Sequence, residues 1–290
     1  MSLDLESARA LARAALREDL GEKGDVTSEA VIPAGMRARG RILSRQALVV
    51  AGTEIAREVF LALDPSLGWS ALPEGTEAKA GEILARVEGA ARPILAGERT
   101  ALNFLQRLCG IASMAREAVR EVSGTGAIVL DTRKTTPTLR ALEKHAVAAG
   151  GASNHRFGLY DAVLIKDNHI RLAGGIAEAV ARAKEAGLQG PQIEVEVEDL
   201  EGLRQALEAG AGRILLDNFT PEKAAEGVRI AKGRAAVECS GNLRPGFLRP
   251  YAEAGADFLS LGCLTHSAPA SDLTMEIERV GEAETTARGR

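Results

Sequence analysis

From Ala127 onward the chain repeats one two-part unit: a short apolar run ending on a polar residue or glycine, then a helix-like stretch. The apolar runs are AIVLDT, AVLIKDNH, IEVEVED, RILLDN, AAVECSGN and FLSLGC; between them lie TLRALEKHAVAAG, GGIAEAVARAKEAG, LEGLRQALEAGAG and PEKAAEGVRIAKG. Several of the helical stretches close on glycine, as helix C-termini prefer. Strands separated by helices imply a parallel sheet. The run ends, Asp131, Lys166, Glu196, Asp217, Ser240 and Gly262, then gather at one edge of that sheet. From Lys166 onward they recur roughly every twenty to thirty residues, a spacing that suits a barrel of (β/α) units. Six such units in place of eight predict an incomplete barrel.

Before Ala127 the pattern differs. RARGRILSRQALVVAG and GEILARVEG read as strands, with turn signals at Gly52, PEGTEAKAG and Gly89, and GTEIAREVFLALD between them reads as a helix. The N-terminal MSLDLESARALARAALREDL reads as an amphipathic helix with Leu5, Ala8, Leu11 and Leu16 on or near one face. It lacks the basic start and apolar block of a targeting signal. A long helical stretch, RPILAGERTALNFLQRLCGIASMAREAVREV, leads into the barrel. The expected organisation is a mixed α/β domain over residues 1–107, a barrel over 108–270, and a C-terminal segment 271–290 that returns to the first domain, its last residues EAETTARGR frayed.

With 46% apolar residues the chain has ample material for a core. A net charge of −4 gives no long-range attraction to nucleic acid or acidic membranes, and no run approaches the roughly eighteen apolar residues of a membrane span. Cys109, Cys239 and Cys263 are odd in number and form no CxxC pair, which argues against a disulfide framework or a zinc site and makes a reducing cytoplasm the expected location. Free cysteines are usually buried small hydrophobes, and no local base marks these as nucleophiles.

Against this neutral background, Asp131 to His169 carries DTRKTTP and HRFGLYDAVLIKDNH, which set Arg133, Lys134, His155, Arg156 and Lys166 at the ends of apolar runs. An unpaired buried charge costs several kcal/mol, so cations placed there face a cleft that an anion fills. In IEVEVED, Glu194, Glu196 and Glu198 share one face and Ile193, Val195 and Val197 the other. That is either an edge strand with a solvated face or a barrel strand whose glutamates point inward beside compensating cations. Asp217 at the next strand end favours the second arrangement and a carboxylate pair, Glu196 and Asp217, able to hold Mg²⁺ or sugar hydroxyls. Lys166 points to the same interior, either as a structural partner of Glu196 or as part of the cationic surplus. Ser240, Gly241, Asn242 and Gly262 end the last two strands, where barrels build phosphate sites and where glycines also close ordinary turns. His266 either contributes there or caps a helix. His145 reads as a packing or surface residue, and His169 as one that orients Lys166 or caps the next helix.

EDLGEKGDVTSEAVIP, GERTALNFLQRLCGIA, LDTRKTTPTLRALEKHAVAAGGASNHRFGLYDAVLIKDNH, IEVEVEDL, LLDNF, SGN and LTHSAPASDLT together resemble the quinolinate phosphoribosyltransferases, and they span nearly the whole chain in the family's order. The resemblance implies an N-terminal α/β sandwich joined by the C-terminal segment and an open α/β barrel of the type II phosphoribosyltransferase kind. It implies Mg²⁺-dependent joining of quinolinate to phosphoribosyl pyrophosphate, giving nicotinate mononucleotide, pyrophosphate and CO₂ in NAD biosynthesis. Carried over by motif, Arg133, Lys134, His155 and Arg156 would grip the quinolinate carboxylates with Lys166 nearby. Glu196 and Asp217 would take the ribose hydroxyls and metal, and Ser240, Gly241 and Gly262 the 5′-phosphate, with Asn242 and His266 beside them. Arg99, in GERT, resembles the arginine that the family donates to the site of a partner subunit, which implies a homodimer with shared sites. Asn242 departs from the glycine of many relatives. The rivals are a related transferase acting on another base and a non-catalytic sensor of a phosphorylated anion.

Overall fold

The computed structural model describes residues 5–281, so the frayed end expected over 282–290 lies outside the described residues. Two compact units divide the chain: residues up to 113 with 141–150 and 268 onward, and residues 114–140 with 151–267. In chain order the elements begin with α1 (Leu5–Leu20), α2 (Val26–Val31), β1 (Arg37–Ser44), β2 (Leu48–Val49), α3 (Thr53–Leu63), β3 (Gly68–Ala71), β4 (Glu77–Ala78), β5 (Ile83–Ala90) and α4 (Ala91–Glu121). There follow β6 (Ile128–Leu130), α5 (Arg140–Ala149), β7 (Val163–Ile165), α6 (Asp167–Ala173), α7 (Ile176–Glu185), β8 (Ile193–Val197) and α8 (Leu200–Ala209). The chain continues with β9 (Arg213–Asp217), α9 (Pro221–Ala231), β10 (Ala236–Ser240), α10 (Arg249–Glu253), β11 (Phe258–Ser260), α11 (Cys263–His266) and β12 (Leu273–Arg279).

The first unit holds an antiparallel sheet in the order β12, β1, β5, β3. Along β1, Ala38, Gly40, Ile42 and Ser44 alternate with more exposed residues; Ala38 and Ile42 are fully buried, as period-two patterning requires. The C-terminal β12 pairs with β1 from Ser44 opposite Leu273 to Ala38 opposite Arg279. Residues 48–49 leave that sheet and pair with β4 instead. β3 and β4 escaped the sequence reading because GWSA and EA are short and largely exposed. Helix α1 packs on α3 and buries Ala8, Ala12 and Leu16, whereas Leu5, expected on that face, is exposed. The Asp25 carboxylate starts α2 by accepting the Thr27 and Ser28 N–H groups at 3.1 and 3.0 Å. On α5, the fully buried Glu143 takes the Arg107 guanidinium at 2.9 Å.

The second unit is a six-stranded parallel sheet in the order β6, β11, β10, β9, β8, β7. β6 and β7 form its two edges, so the curl is an open barrel. Hydrophobic alternation sends Ile193, Val195, Val197, Ile214, Leu216, Val237 and Cys239 into the core; a Cβ on Gly202 of α8 or Gly227 of α9 would touch Val197 or Leu216, so this face meets the helices. Glu194, Glu196, Arg213, Asp217, Glu238 and Ser240 occupy the opposite, inner positions. The reading of IEVEVED as a barrel strand with inward glutamates holds.

Candidate active site

At the C-terminal ends of the strands lies a cleft of about 1140 Å³. Of the residues singled out by sequence, Arg133, Lys134, His155, Arg156, Lys166 and Glu196 line it. Asp217, Ser240, Gly241, Asn242, Gly262 and His266 line it as well, and a Cβ on Gly262 would lie 3.1 Å from both the Lys134 side chain and the His266 ring. Arg99 is not among the lining residues; it is an exposed residue of α4, in the first unit.

The cationic side is built from two loops. After β6, Lys134 N–H donates to Thr132 Oγ1 at 3.0 Å and Thr265 Oγ1 donates to the Lys134 carbonyl at 2.8 Å, which ties DTRKTTP to α11. Arg140 then joins this loop to the second: its guanidinium donates to Thr135 Oγ1 at 2.9 Å, to the Arg133 carbonyl at 3.3 Å and to the Phe157 carbonyl at 3.1 Å. The second loop hangs from Asp131, a fully buried carboxylate at the end of β6. Its Oδ1 accepts the His155 N–H at 2.8 Å and its Oδ2 the Asn154 side-chain amide at 2.7 Å. Asp161 closes the loop by accepting the Phe157 and Gly158 N–H groups; although burial opposes it, these bonds hold its carboxyl below the usual range. Arg156 donates to the Ala162 carbonyl at 3.1 Å. Burial, and then the charge of Arg133, pull the Arg156 pKa below its ordinary value. The Nε of Arg133 is buried without a hydrogen-bond partner among the described residues. Two guanidiniums that repel each other, one with a buried unpaired donor, describe a site prepared for an anion.

Lys166, at the end of β7, is ion-paired with Glu196, at the end of β8. His169 accepts the Lys166 backbone N–H through Nδ1 at 3.0 Å and so caps α6, the structural alternative of the sequence reading. After β9 and β10, Asn218 and Asn242 both sit in the left-handed region, with φ of 56° and 55°. Asn218 donates to the Asp217 carboxylate at 2.8 Å, and Asn242 donates to Asn218 Oδ1 at 2.9 Å. Gly241, φ 92°, has no room for a side chain: a Cβ would lie 2.4 Å from Asn218 Oδ1 and 2.7 Å from its backbone nitrogen. Asn is among the few residues that tolerate this backbone region, which explains why it can stand at this position. Asn242→Gly is therefore expected to shift stability by less than about 1 kcal/mol, and Asn242→Val to cost about 2 kcal/mol with a weakened phosphorylated ligand. Thermal melts and donor titrations of the two variants check this; equal behaviour would remove the backbone argument.

Beneath the cleft the interior carries a charged layer that sequence reasoning only half saw. Arg213 of β9 pairs with Glu238 of β10 and, at 3.3 Å, with Glu194 of β8. Its guanidinium lies 4.1 Å from the centroid of the Phe258 ring. Ser260 donates to Glu238, and His155 Nε2 stands 3.4 Å from Glu194 and 3.6 Å from Glu238. Burial, reinforced by the Glu194 carboxylate, pushes Glu238 up to about 7. Burial also works to raise Glu194, but the His155 contact and the Arg213 charge outweigh it and leave that carboxyl below its ordinary value. One nitrogen and two oxygens of His155, Glu194 and Glu238 lie within 4.8 Å of one another, and Arg213 already supplies the cation they call for. The available signal was a charged residue at an inward position on each of three consecutive strands, RILLD and AVECS included. Below this layer, about 610 Å³ of cavity is lined by Ile128, Val163, Gln192 and Phe258, near the strands' N-terminal ends. Cys239 and Cys109 are buried and their thiols are pushed up to about 12, which leaves them no thiolate for catalysis.

Models of the quinolinate phosphoribosyl transferase N-terminal and C-terminal domains match residues 25–109 and 111–276. The chain belongs to this family. It is 41% identical over 268 residues to a probable nicotinate-nucleotide pyrophosphorylase [carboxylating] of Bacillus subtilis, covering 92% of each chain. It is 38% identical to the nicotinate-nucleotide pyrophosphorylase [carboxylating] of Mycobacterium leprae, over 94% of this chain and 98% of that one. The crystal structure of NadC from Streptococcus pyogenes superposes with a TM-score of 0.91 at 35% identity, over 97% of this chain and all of the other. The family is one of pentosyltransferases, and its open α/β barrel is the fold described above. Among the described residues no helix is long and apolar enough to cross a membrane.

Proposed function

We propose that this family member transfers the phosphoribosyl group of phosphoribosyl pyrophosphate to quinolinate, with loss of CO₂, to give nicotinate mononucleotide and pyrophosphate. The observation that carries the reading is the gathering, in one cleft, of the cations Arg133, Lys134 and Arg156, the carboxylates Glu196 and Asp217, and a glycine-shaped loop. A dicarboxylate and a phosphorylated, pyrophosphate-bearing sugar are complementary to those groups. Arg133, Lys134 and Arg156 meet the quinolinate carboxylates, with Lys166 beside them. Glu196 and Asp217 receive the ribose hydroxyls, and Ser240, Gly241, Asn242, Gly262 and His266 surround the 5′-phosphate.

Glu196 and Asp217 offer hard carboxylate oxygens at adjacent strand ends, a donor set that suits Mg²⁺ shared with substrate oxygens. When bound there, Mg²⁺ would neutralise charge on the departing pyrophosphate. The chain's own part is electrostatic and positional. The ribose C1 gains oxocarbenium character as its bond to pyrophosphate breaks, and the fixed cations stabilise the charge that leaves. Holding the quinolinate nitrogen opposite C1 lets the N–C1 bond form without the cost of a bimolecular encounter. With the nitrogen quaternised, the ring accepts the electron pair released when the adjacent carboxylate departs as CO₂, and that carbon then takes a proton. Arg99 enters the same scheme from a partner subunit in a homodimer.

Purified protein given quinolinate, phosphoribosyl pyrophosphate and Mg²⁺ is expected to form nicotinate mononucleotide and CO₂ in equal amounts, with nicotinate inert in place of quinolinate. The rate should collapse when the metal is chelated, and Glu196→Gln and Asp217→Asn should raise the Mg²⁺ requirement. Binding of both ligands without turnover would shift the assignment to a sensor. Turnover with another base alone would shift it to a different transferase.

A further inference from the structure

We propose that Arg244 is a further donor-binding residue, whose guanidinium supplies the counter-charge for the 5′-phosphate of the phosphoribosyl donor. The proposal rests on the reading of the cleft as a donor site and adds a residue that the family resemblance did not supply. Of the groups placed around that phosphate, Ser240, Gly241, Asn242 and Gly262 are neutral and His266 is titratable, so none carries a permanent charge. A phosphate monoester brings nearly two negative charges. Arg244 follows these residues on the loop after β10 and lines the same cleft. Lys166, Arg213 and Arg249 each have a carboxylate partner, whereas among the described residues none forms an ion pair with Arg244. An arginine without a carboxylate is ordinary on an open surface. This one faces a cleft, and the loop that carries it is fixed.

The guanidinium lies 4.8 Å from the centroid of the Phe247 ring, a cation–π contact that engages it without using its N–H donors. The turn that bears both residues runs through Gly246, φ 89°, and closes with the Phe247 N–H donating to the Arg244 carbonyl at 3.2 Å. Glu121, at the end of α4, clamps this turn: its carboxylate accepts the Gly246, Leu248 and Arg249 N–H groups at 2.6, 2.5 and 3.2 Å. Arg249 answers by donating to the Glu121 and Ser123 carbonyls at 3.3 and 3.0 Å, and Leu248 is fully buried. At the base of the loop the Cys263 thiol donates to the Leu243 carbonyl at 3.3 Å, which ties the loop to the residue after Gly262. Burial pushes that thiol up, and the Arg244 charge is among the groups that pull it back, so the field of Arg244 extends to the Gly262 turn. A cation fixed by its loop and by a ring, with no carboxylate to neutralise it, loses little freedom when an anion binds.

Calorimetric titration of the intact protein with ribose 5-phosphate, and separately with inorganic pyrophosphate and Mg²⁺, distinguishes the two anionic ends of the donor. Arg244→Ala is expected to weaken ribose 5-phosphate about twentyfold, as for one lost hydrogen bond to a charged group, and to leave pyrophosphate and quinolinate within about twofold of the parent. The KM for phosphoribosyl pyrophosphate should rise by a similar factor. Arg244→Lys should recover part of the loss, because an ammonium keeps the charge and loses the planar pair of donors. Arg244 is exposed, so the melting temperature of both variants should match the parent, which separates lost binding from lost folding. Phe247→Leu should weaken ribose 5-phosphate about threefold in the parent and not at all in the Arg244→Ala background, since the ring acts through the guanidinium. Ribose 5-phosphate bound equally by the parent and Arg244→Ala would overturn the proposal and leave the phosphate charge to Lys134, which lies beside Gly262. A loss confined to pyrophosphate, or equal for both probes, would overturn the assignment to the 5′ end. A parent that binds neither probe nor phosphoribosyl pyrophosphate would overturn the functional reading and the role of Arg244 together.

Discussion

Replacing Arg133 by alanine is expected to lower kcat/KM for quinolinate by about a thousandfold, while the affinity for the phosphorylated donor changes less than about threefold. The expected loss corresponds to about 4 kcal/mol, within the range measured when one partner of a desolvated, hydrogen-bonded charge pair is removed. The reason lies in the ligand-free site. Arg133 carries a buried Nε with no partner among the described residues, and it stands close enough to Arg156 to depress that guanidinium's pKa. The free protein therefore holds two cations under mutual strain, and the dicarboxylate relieves it. Removing one leaves a ligand carboxylate buried against a single cation. Arg133→Lys should recover only part of the loss, because an ammonium cannot present a planar pair of donors. Steady-state kinetics with each substrate varied in turn, together with calorimetric titration of each ligand, separates the outcomes. Equal losses for the two substrates would remove Arg133 from the carboxylate side.

The second large effect falls on stability. Gly110 lies inside α4, where alanine is ordinarily favoured over glycine by about 1 kcal/mol. Here a Cβ would stand 2.0 Å from the Pro269 carbonyl oxygen and 3.1 Å from its carbon. Both are backbone atoms of a segment that is itself held, since Ser271 N–H donates to the Gln106 carbonyl at 2.9 Å, and neither can swing aside as a side-chain tip would. Gly110→Ala should therefore destabilise by about 3 kcal/mol and lower the melting temperature by about 6–10 °C. Gly35 provides the control: it has an ordinary φ and nothing within 4 Å of a Cβ, so Gly35→Ala should fall within about 0.5 kcal/mol of the parent. A melt of Gly110→Ala that matches the parent would mean that α4 and the 269–271 segment slide past each other freely.

Much of the site is legible in the sequence because a parallel strand's last residue is forced to the same edge as its neighbours' last residues. Lys166, Glu196, Asp217 and Ser240 needed only the recognition that each ends an apolar run; their meeting follows from β/α alternation. Asn242 was legible as part of a strand-end loop, and its φ of 55° supplies the reason that asparagine is tolerated there. Arg213 and Glu238 were harder to find. Each is a single charge within an apolar run, and a sequence does not state which strand will lie beside which. Only the register, with Arg213 beside Glu194 and Leu215 beside Glu238, brings the three charges into one layer. Arg140 is a similar case: a helix-start arginine by sequence, it joins the two cationic loops by three hydrogen bonds.

The sequence by itself determined the parallel β/α architecture, the open barrel and the residues at its mouth, because local periodicity and strand ends are properties of neighbouring positions. The tertiary structure decided which charges compensate one another and where α4 admits no side chain. Those depend on distances between residues far apart in the chain, and burial makes such distances matter: a charge or a methyl group that water or empty space would accommodate at the surface must, inside, find its partner or its room within a few tenths of an ångström.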